Sequence, residues 1–262
     1  MLELIQKGSS GASHSVPLLF VHGAWHGAWC WDEHFLDFFA ERGYGCYAPS
    51  LRGHGESTGR ERLRRAGIQD YVRDIAQTAA ELPTQPVLVA HSMGGFVVQK
   101  YLETHTAAGA VLVAPVPPSG VLRITLNIAR RHPVQFAKAN ALLKLAPIVS
   151  TPELVRELFL SASMPDDQVN AYHLRVQDES YRAFLDMLLL NLVKTTRVNR
   201  VPMLVLGAEH DTIVSQREIQ RTAAIYGAEA EIIPGMAHDM MLEPGWQAVA
   251  ERIAGWLSVQ GL

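Results

Sequence analysis

Ser92 stands in a segment typical of a nucleophilic serine. An apolar run at residues 86–90 leads into Ala90-His91-Ser92-Met93-Gly94, and apolar residues then recur with helical spacing. A serine on a sharp turn between a strand and a helix projects its hydroxyl out of the sheet, and small residues such as Ala90 and Gly94 let the two arms of the turn pass closely. The pattern therefore predicts that Ser92 is a catalytic nucleophile. The alternative is that it only caps the following helix.

Asp211 and His238 can supply the acid and the base that such a serine needs. A serine hydroxyl is a poor nucleophile at neutral pH, so a histidine must accept its proton and a carboxylate must orient that histidine. Asp211 follows the apolar run at residues 202–207, and His238 follows the run at 230–233. We predict that Ser92, Asp211 and His238 form a triad. Taken singly, Asp211 could instead cap the helix after it, and His238 is one of 11 histidines.

Strand and helix patterns alternate along the chain. Short apolar runs predict buried strands at residues 17–21, 45–48, 86–90, 110–114, 202–207 and 230–233. Helical periodicity lies between them, at residues 31–42, 69–82, 93–105, 216–226 and 244–257. This alternation predicts an α/β fold with a mostly parallel, doubly wound sheet.

Residues 116–200 break the alternation. They contain apolar-periodic pieces interrupted by prolines and no convincing strand. We therefore expect a helical cap at 116–200, inserted into a core made of residues 1–115 and 201–262. Because the cap is rich in Leu, Val, Ala and Met, it suggests an apolar acyl or aryl pocket under a lid.

Composition excludes several classes of function. The net charge of −3 gives no general attraction to nucleic acid. The N-terminus lacks a secretory pattern, and no apolar stretch is long enough for a membrane span, so we expect a cytoplasmic protein without stable membrane insertion. Cys30 and Cys46 are interpreted as reduced packing residues. The sequence carries no sign of a metal, nucleotide or flavin site, so we expect no cofactor and a small-molecule substrate.

Five motifs in a fixed order resemble those of the α/β-hydrolases of the esterase and lipase type. They are His22-Gly23-Ala24-Trp25, Arg52-Gly53-His54-Gly55-Glu56-Ser57, Ala90-His91-Ser92-Met93-Gly94-Gly95, residues 207–211 and residues 235–238. The order serine, acid, histidine is also that of this superfamily. Within it, the segment at 22–31 resembles plant methylesterases and hydroxynitrile lyases, and the segment at 52–57 is similar to bacterial esterases and lysophospholipase-like hydrolases.

The resemblance implies an α/β-hydrolase fold and a serine carboxylesterase that forms an acyl-enzyme on Ser92. It also implies an oxyanion hole made by the backbone N–H groups of Met93 and Ala24, since the tetrahedral intermediate needs two donors at its negative oxygen. We expect fewer strands than the eight of the full fold, because the ~16 residues before the first predicted strand leave little room for an antiparallel one.

Other functions stay open at this point. A lipase or lysophospholipase would act on longer acyl chains. Hydroxynitrile lyases resemble this chain but carry threonine in place of Gly23 and lysine in place of Asp239. A binding protein that keeps the triad but turns over slowly is a third class. Haloalkane dehalogenases and epoxide hydrolases would need a carboxylate where Ser92 stands.

Several residues in or beside the motifs have less specific interpretations. His22, Gly23 and His54 are expected to shape turns, and Trp25 could line the acyl pocket. We interpret the remaining neighbours as bystanders in loops: His26, His91, Glu209, His210 and Asp239.

The first half of the predicted cap is purely basic. Residues 104–152 contain no acidic residue. They contain Arg123, Arg130, Arg131, Lys138 and Lys144. The run predicts either a solvated helix face or interfacial contact with an anionic substrate or lipid.

Overall fold

One seven-stranded sheet organises the computed structural model, which describes residues 1–9 and 14–262. The strands are β1 (Leu4–Lys7), β2 (Leu18–Val21), β3 (Cys46–Pro49), β4 (Val87–His91), β5 (Gly109–Val113), β6 (Met203–Ala208) and β7 (Glu229–Ile233). Their order across the sheet is β1-β3-β2-β4-β5-β6-β7. Strand β1 runs antiparallel to β3, and the other neighbours pair in parallel. The predicted α/β fold class is confirmed.

Helices connect and cover these strands. They are α1 (Trp29–Asp32), α2 (Phe35–Ala40), α3 (Ile68–Ala80), α4 (Met93–Tyr101), α5 (Leu122–Arg131), α6 (Pro133–Leu142), α7 (Pro152–Phe159), α8 (Asp166–His173), α9 (Tyr181–Leu185), α10 (Gln216–Tyr226) and α11 (Trp246–Gln260). Short 3₁₀ segments at Arg60–Arg65, Ala146–Val149 and Thr195–Arg197 and a π-helical turn at Asp186–Leu190 complete the set. In the described ranges, no helix is long and apolar enough to cross a membrane.

The centre of the sheet is formed by strands whose every residue is buried. Strands β2, β4, β5 and β6 contain mainly valine, leucine and alanine, as expected for parallel strands covered on both faces. Strand β1 is different because its side chains alternate between exposed and half-buried. The expectation that the residues before β2 leave little room for an antiparallel strand was wrong, because four residues of mixed polarity are enough for an edge strand. The seven described strands agree with the expectation of fewer than eight.

Two other local features depart from the sequence patterns. The predicted helix at 31–42 is split into α1 and α2, because His34 has a non-helical backbone (φ −145°, ψ −46°). Its ring stacks on Trp246 of α11 with the centroids 4.6 Å apart. Between β5 and β6 the chain forms helices α5 to α9, and residues 116–200, all of them described, contain no strand. The division into a core and a cap stays a prediction.

Candidate active site

Ser92 lies in the tight turn between β4 and α4. Its φ of 51° and ψ of −117° are rare for a residue with a side chain and cost about 1–3 kcal/mol. The turn is fixed by its surroundings: the N–H of Ser92 donates to the carbonyl oxygen of Val113 at 3.1 Å. A Cβ on Gly94 would lie 2.5 Å from the carbonyl oxygens of Val21 and His22. The close approach of the end of β2 therefore requires glycine at this position.

The structure brings Ser92, His238 and Asp211 together. His238 Nε2 lies 2.8 Å from Ser92 Oγ. On the other side of the ring, Nδ1 lies 2.8 Å from Asp211 Oδ2. The side chains of His238 and Asp211 are 2% and 1% exposed, so water does not compete for these contacts. All three residues come from loops at the carboxyl ends of β4, β6 and β7.

Asp211 does not cap α10, the helix that follows it. Its Oδ1 accepts hydrogen bonds from the backbone N–H groups of Ile213 at 2.7 Å and Val214 at 2.9 Å. Ser215 caps α10 instead, in a capping box with Glu218. Oδ2 of Asp211 is thereby left for His238. Asp211 is thus held by a turn of its own and aimed at the imidazole.

The environment of His238 suits the base that the sequence predicts at this position. Burial alone lowers the pKa of an imidazole, but the Asp211 carboxylate, through its charge and its hydrogen bond, outweighs burial and raises the pKa of His238 above the ordinary 6.5. Asp239 adds to this effect. A raised pKa stabilises the imidazolium that forms when a serine proton is transferred.

The two residues predicted to supply oxyanion donors lie beside Ser92. Met93 is the first residue of α4, so its N–H has no acceptor within the helix. Ala24 lies in the loop after β2, and both residues line the same cavity as Ser92. A Cβ on Gly23 would come within 2.7 Å of His91 Nδ1 and 3.1 Å of Ser92 Cβ. Glycine at this position lets the loop that carries Ala24 approach Ser92.

Above Ser92 is a cavity of about 80 Å³. Helices α5 and α6, together with Phe184 and Met187, form its outer wall, and Trp25 lines it as the sequence suggested. Its few polar residues are occupied: for example, the Tyr181 hydroxyl donates to Asn140 Oδ1 at 2.8 Å. Within the described chain, no lysine or arginine lines it. The cavity therefore suits an uncharged apolar group.

The basic residues of the acid-free run lie outside this cavity. Arg123 forms an ion pair with Glu218, and Arg131 lies 3.9 Å from Glu157. Arg130, Lys138 and Lys144 are exposed. These positions agree with a solvated outer face and leave contact with an anionic surface as a prediction.

Three buried residues near the site have contacts that the sequence analysis missed. His26 pairs with Asp239 at 2.9 Å. Glu179 accepts hydrogen bonds from the His54 ring at 3.1 Å and the Tyr71 hydroxyl at 2.7 Å. For His26 and Asp239 the available signal was their adjacency to the motifs. For Glu179 there was none, because its partners are more than 100 positions away in sequence.

His91 is held neutral beneath His238. Burial lowers the pKa of His91 to about 3. In the neutral ring Nε2 carries the proton, because it donates to the carbonyl oxygen of His238 at 3.0 Å. His91 therefore supports the loop of His238 and leaves Nδ1 without a proton next to Gly23.

Among residues 1–9 and 14–262, one group of side chains has ligand atoms close enough for a metal ion. Atoms of His91, His238 and Asp239 lie within 4.8 Å of one another. However, His238 is bonded to Ser92 and Asp211, and Asp239 is bonded to His26. A metal here would have to displace those bonds, so we assign the group to the hydrogen-bond network.

The two cysteines are buried and free.

Known proteins resemble the chain in sequence and in fold. The profile of a family described as "Alpha/beta hydrolase family" matches residues 18–252. A probable esterase of Oryza sativa subsp. indica is 29% identical over 88% of this chain and 92% of that protein. The pyrethroid hydrolase of Sphingobium wenxiniae is 31% identical over 37% of this chain and 37% of that protein. The fold is similar to that of a monoacylglycerol lipase from Paleococcus ferrophilus, with a TM-score of 0.74, 21% identity and 99% of both chains covered.

Proposed function

Since the chain belongs to the alpha/beta hydrolase family, we propose that it is a serine esterase that cleaves carboxylic esters through an acyl-enzyme. The observation that carries this proposal is the chain of contacts from Ser92 Oγ to His238 Nε2 at 2.8 Å and from His238 Nδ1 to Asp211 Oδ2 at 2.8 Å. A hydroxyl, a base and an orienting carboxylate in this arrangement are what acyl transfer at neutral pH requires.

Acylation begins when Ser92 Oγ bonds to the carbonyl carbon of the ester and its proton moves to His238 Nε2. The carbonyl oxygen becomes an oxyanion, which the N–H groups of Ala24 and Met93 stabilise. The carbon–oxygen bond to the alcohol then breaks, and His238 returns its proton to the departing alkoxide. Asp211 keeps Nδ1 protonated throughout.

Deacylation repeats these steps with water. His238 accepts a proton from a water molecule, whose oxygen bonds to the acyl carbon. The second tetrahedral intermediate uses the same two N–H donors. It collapses to the carboxylic acid, and the proton on His238 returns to Ser92 Oγ.

The acyl or aryl group of the substrate occupies the cavity above Ser92 in this proposal. The apolar residues that α5 and α6 place there support such a group, and residues 116–200 act as the lid predicted from the sequence. Longer acyl chains, as in a lipase or lysophospholipase, are the alternative within this class. A cytoplasmic location stays a prediction.

A hydroxynitrile lyase is a less suitable assignment. The related lyases have threonine at the position of Gly23 and lysine at that of Asp239, where a cation beside the histidine would help to hold cyanide. Here a carboxylate stands beside His238 and is already paired with His26 at 2.9 Å. We expect no cyanide release from mandelonitrile above the uncatalysed rate. Release that depends on Ser92 would favour the lyase.

The proposal is tested by turnover of p-nitrophenyl esters of graded acyl length, with Ser92→Ala as the matched variant. We expect sustained turnover by the natural sequence and loss of activity in Ser92→Ala to the background rate. A stoichiometric burst followed by very slow release would instead indicate a slow-turnover binding protein. Equal rates for the two proteins would exclude Ser92 as the nucleophile.

A further inference from the structure

A second buried histidine–aspartate pair lies next to the triad. His26 belongs to the loop after β2 that also carries Ala24, and Asp239 directly follows His238. Nε2 of His26 lies 2.9 Å from Oδ2 of Asp239, and each side chain is 2% exposed. The pair therefore connects the loop of the candidate oxyanion donor to the loop of the candidate base.

The other ring nitrogen of His26 faces a group that can only accept a hydrogen bond. Nδ1 lies 2.7 Å from the carbonyl oxygen of Ala24. A carbonyl oxygen and a carboxylate both lack a proton to give, so both ring nitrogens of His26 must donate. His26 is then an imidazolium. Burial opposes this charge, but the Asp239 carboxylate outweighs burial and raises the pKa of His26.

These contacts hold one peptide group at both ends. Its carbonyl, from Ala24, accepts from His26. Its N–H, from Trp25, lies 3.4 Å from Glu179 Oε2. Trp25 has a φ of 65°, in the left-handed region that residues with side chains rarely adopt. The loop therefore relies on outside contacts to keep this conformation.

We propose that His26, paired with Asp239, is a positioning residue that holds the Ala24 loop so that the Ala24 N–H points at the oxyanion formed on a substrate bound to Ser92. The inference rests on the proposed esterase function. Since the oxyanion exists only in the tetrahedral states, the contact affects kcat and leaves substrate binding nearly unchanged. A donor that is misaligned and not removed costs less than the 10²- to 10³-fold of a deleted one, so we expect about 10- to 100-fold.

Two substitutions at His26 separate positioning from general stability. In His26→Gln the amide can replace Nε2 and still reach Asp239, but the contact to Ala24 is lost. In His26→Asn the amide can replace Nδ1 and still reach Ala24, but Asp239 is left buried and unpaired. If His26 only stabilises the fold, His26→Asn should be the more impaired variant, because an unpaired buried carboxylate lowers the stability of the folded protein. If His26 positions the Ala24 loop, His26→Gln should instead be the variant with the lower activity.

The experiment measures kcat and KM on a p-nitrophenyl ester, the inhibition constant of a trifluoromethyl ketone and the thermal midpoint of each variant. The ketone carbonyl carbon bonds to the serine oxygen and its oxygen becomes an oxyanion. The affinity for the ketone therefore measures how well the oxyanion hole stabilises that charge. We expect His26→Gln to lower kcat and weaken the ketone by the same factor of about 10 to 100, with KM within about twofold. We expect His26→Asn to keep more of both activities despite a lower midpoint.

Control variants keep each outcome decisive. Tyr226→Phe removes a hydrogen bond from Tyr226 to Gln99 of 2.9 Å, two turns along α4 from Ser92, and should lower stability without changing affinity for the ketone. If His26→Asn does not fold, the double variant His26→Asn with Asp239→Asn takes its place, because it lacks the unpaired charge. A His26→Gln enzyme with unchanged kcat and ketone affinity overturns the inference alone. A natural sequence without Ser92-dependent hydrolysis overturns the proposed function and the inference together.

Discussion

The cavity over Ser92 has two unlike walls. The loops after β2, β4 and β6 line its floor, with Ala24, Ser92 and Ile213. Asp211 and His238, which are bonded in series behind Ser92, are counted here as part of the floor. Its roof consists of the inner faces of α5 and α6 with Phe184 and Met187. In the floor, polar side chains are buried and bonded to one another, whereas the roof presents mainly apolar groups. This difference suggests that the floor sets the rate of the chemistry and the roof sets which esters enter.

The walls also differ in what fixes their shape. Ala24, Ser92 and Asp211 follow the fully buried strands β2, β4 and β6. Hydrogen bonds of 2.7–2.9 Å fix Asp211 in its turn and link it through His238 to Ser92. The roof helices bring exposed leucines, among them Leu122 and Leu126 at 57% and 61% exposure. Precise positions come from the sheet, while the roof depends on packing between helices. Variants in the floor should therefore affect all esters alike, and variants in the roof should discriminate between esters.

The largest effect is expected for Asp211→Asn in the floor. The amide no longer fixes the proton on Nδ1 of His238, so we expect kcat to fall by about 10³- to 10⁴-fold on every ester tested. Asp239→Asn is the matched control, since His26 can still donate to Ala24 when neutral. It should lose only about three- to tenfold, because a charged hydrogen bond becomes a neutral one. Steady-state kinetics on short and long esters measures both, and equal losses in the two variants would contradict the assignment of Asp211.

A variant in the roof should change the selectivity between esters and leave the rate on small esters nearly unchanged. Ala139 lines the cavity from α6 and is 2% exposed. Ala139→Phe should lower kcat/KM for decanoyl esters by about 10- to 100-fold through crowding and leave acetyl esters within about twofold. Ala141→Phe, on the exposed side of the same helix, is the control. A uniform loss on both esters would show that the roof also shapes the chemical step.

The pH profile distinguishes the floor from the roof again. His238 must be neutral to accept the serine proton, and its pKa is raised above 6.5 by Asp211 in spite of burial. Activity is therefore present above this pKa and falls about tenfold per pH unit below it. We expect an acid limb in kcat/KM with its midpoint above 6.5, moved to lower pH in Asp211→Asn and unmoved in Ala139→Phe. A midpoint below 6.5 in the natural sequence would contradict the contact with Asp211.

The smallest effect is expected on the outer surface of the roof. If the basic residues attract anionic or micellar substrates, Arg130→Glu with Arg131→Glu should lower kcat/KM for anionic lysolipids several-fold at low salt, and less at ~0.1 M salt. Arg64→Glu with Arg65→Glu changes the net charge equally from an exposed segment of the core. A small neutral ester should be unaffected in both variants. No difference between the two pairs would favour the solvated face.

The floor was more predictable from the sequence than the roof. Ser92, Asp211 and His238 follow apolar strands, and loops after parallel strands meet at one edge of a sheet, so their proximity could be inferred. Helix α10 was predicted with the same bounds as in the structure, because a serine precedes its first residue and a glycine follows its last. The catalytic roles of these residues remain predictions.

Long-range side-chain contacts were not predictable. His26 and Asp239 are 213 positions apart, and each is an ordinary loop residue in the sequence. Glu179 and strand β1 were missed for related reasons, since neither gives a local periodic signal. In the roof, prolines indicated helix boundaries, but the face that each helix turns to the cavity depends on packing that one sequence does not specify.

Labelling with a fluorophosphonate shows whether Ser92 is the covalent nucleophile. The probe should phosphonylate Ser92 Oγ with loss of fluoride, and peptide mass spectrometry locates the adduct. We predict one adduct on Ser92, none in Ser92→Ala, and much slower labelling in Asp211→Asn. An adduct on another residue, or undiminished labelling of Ser92→Ala, would contradict the account.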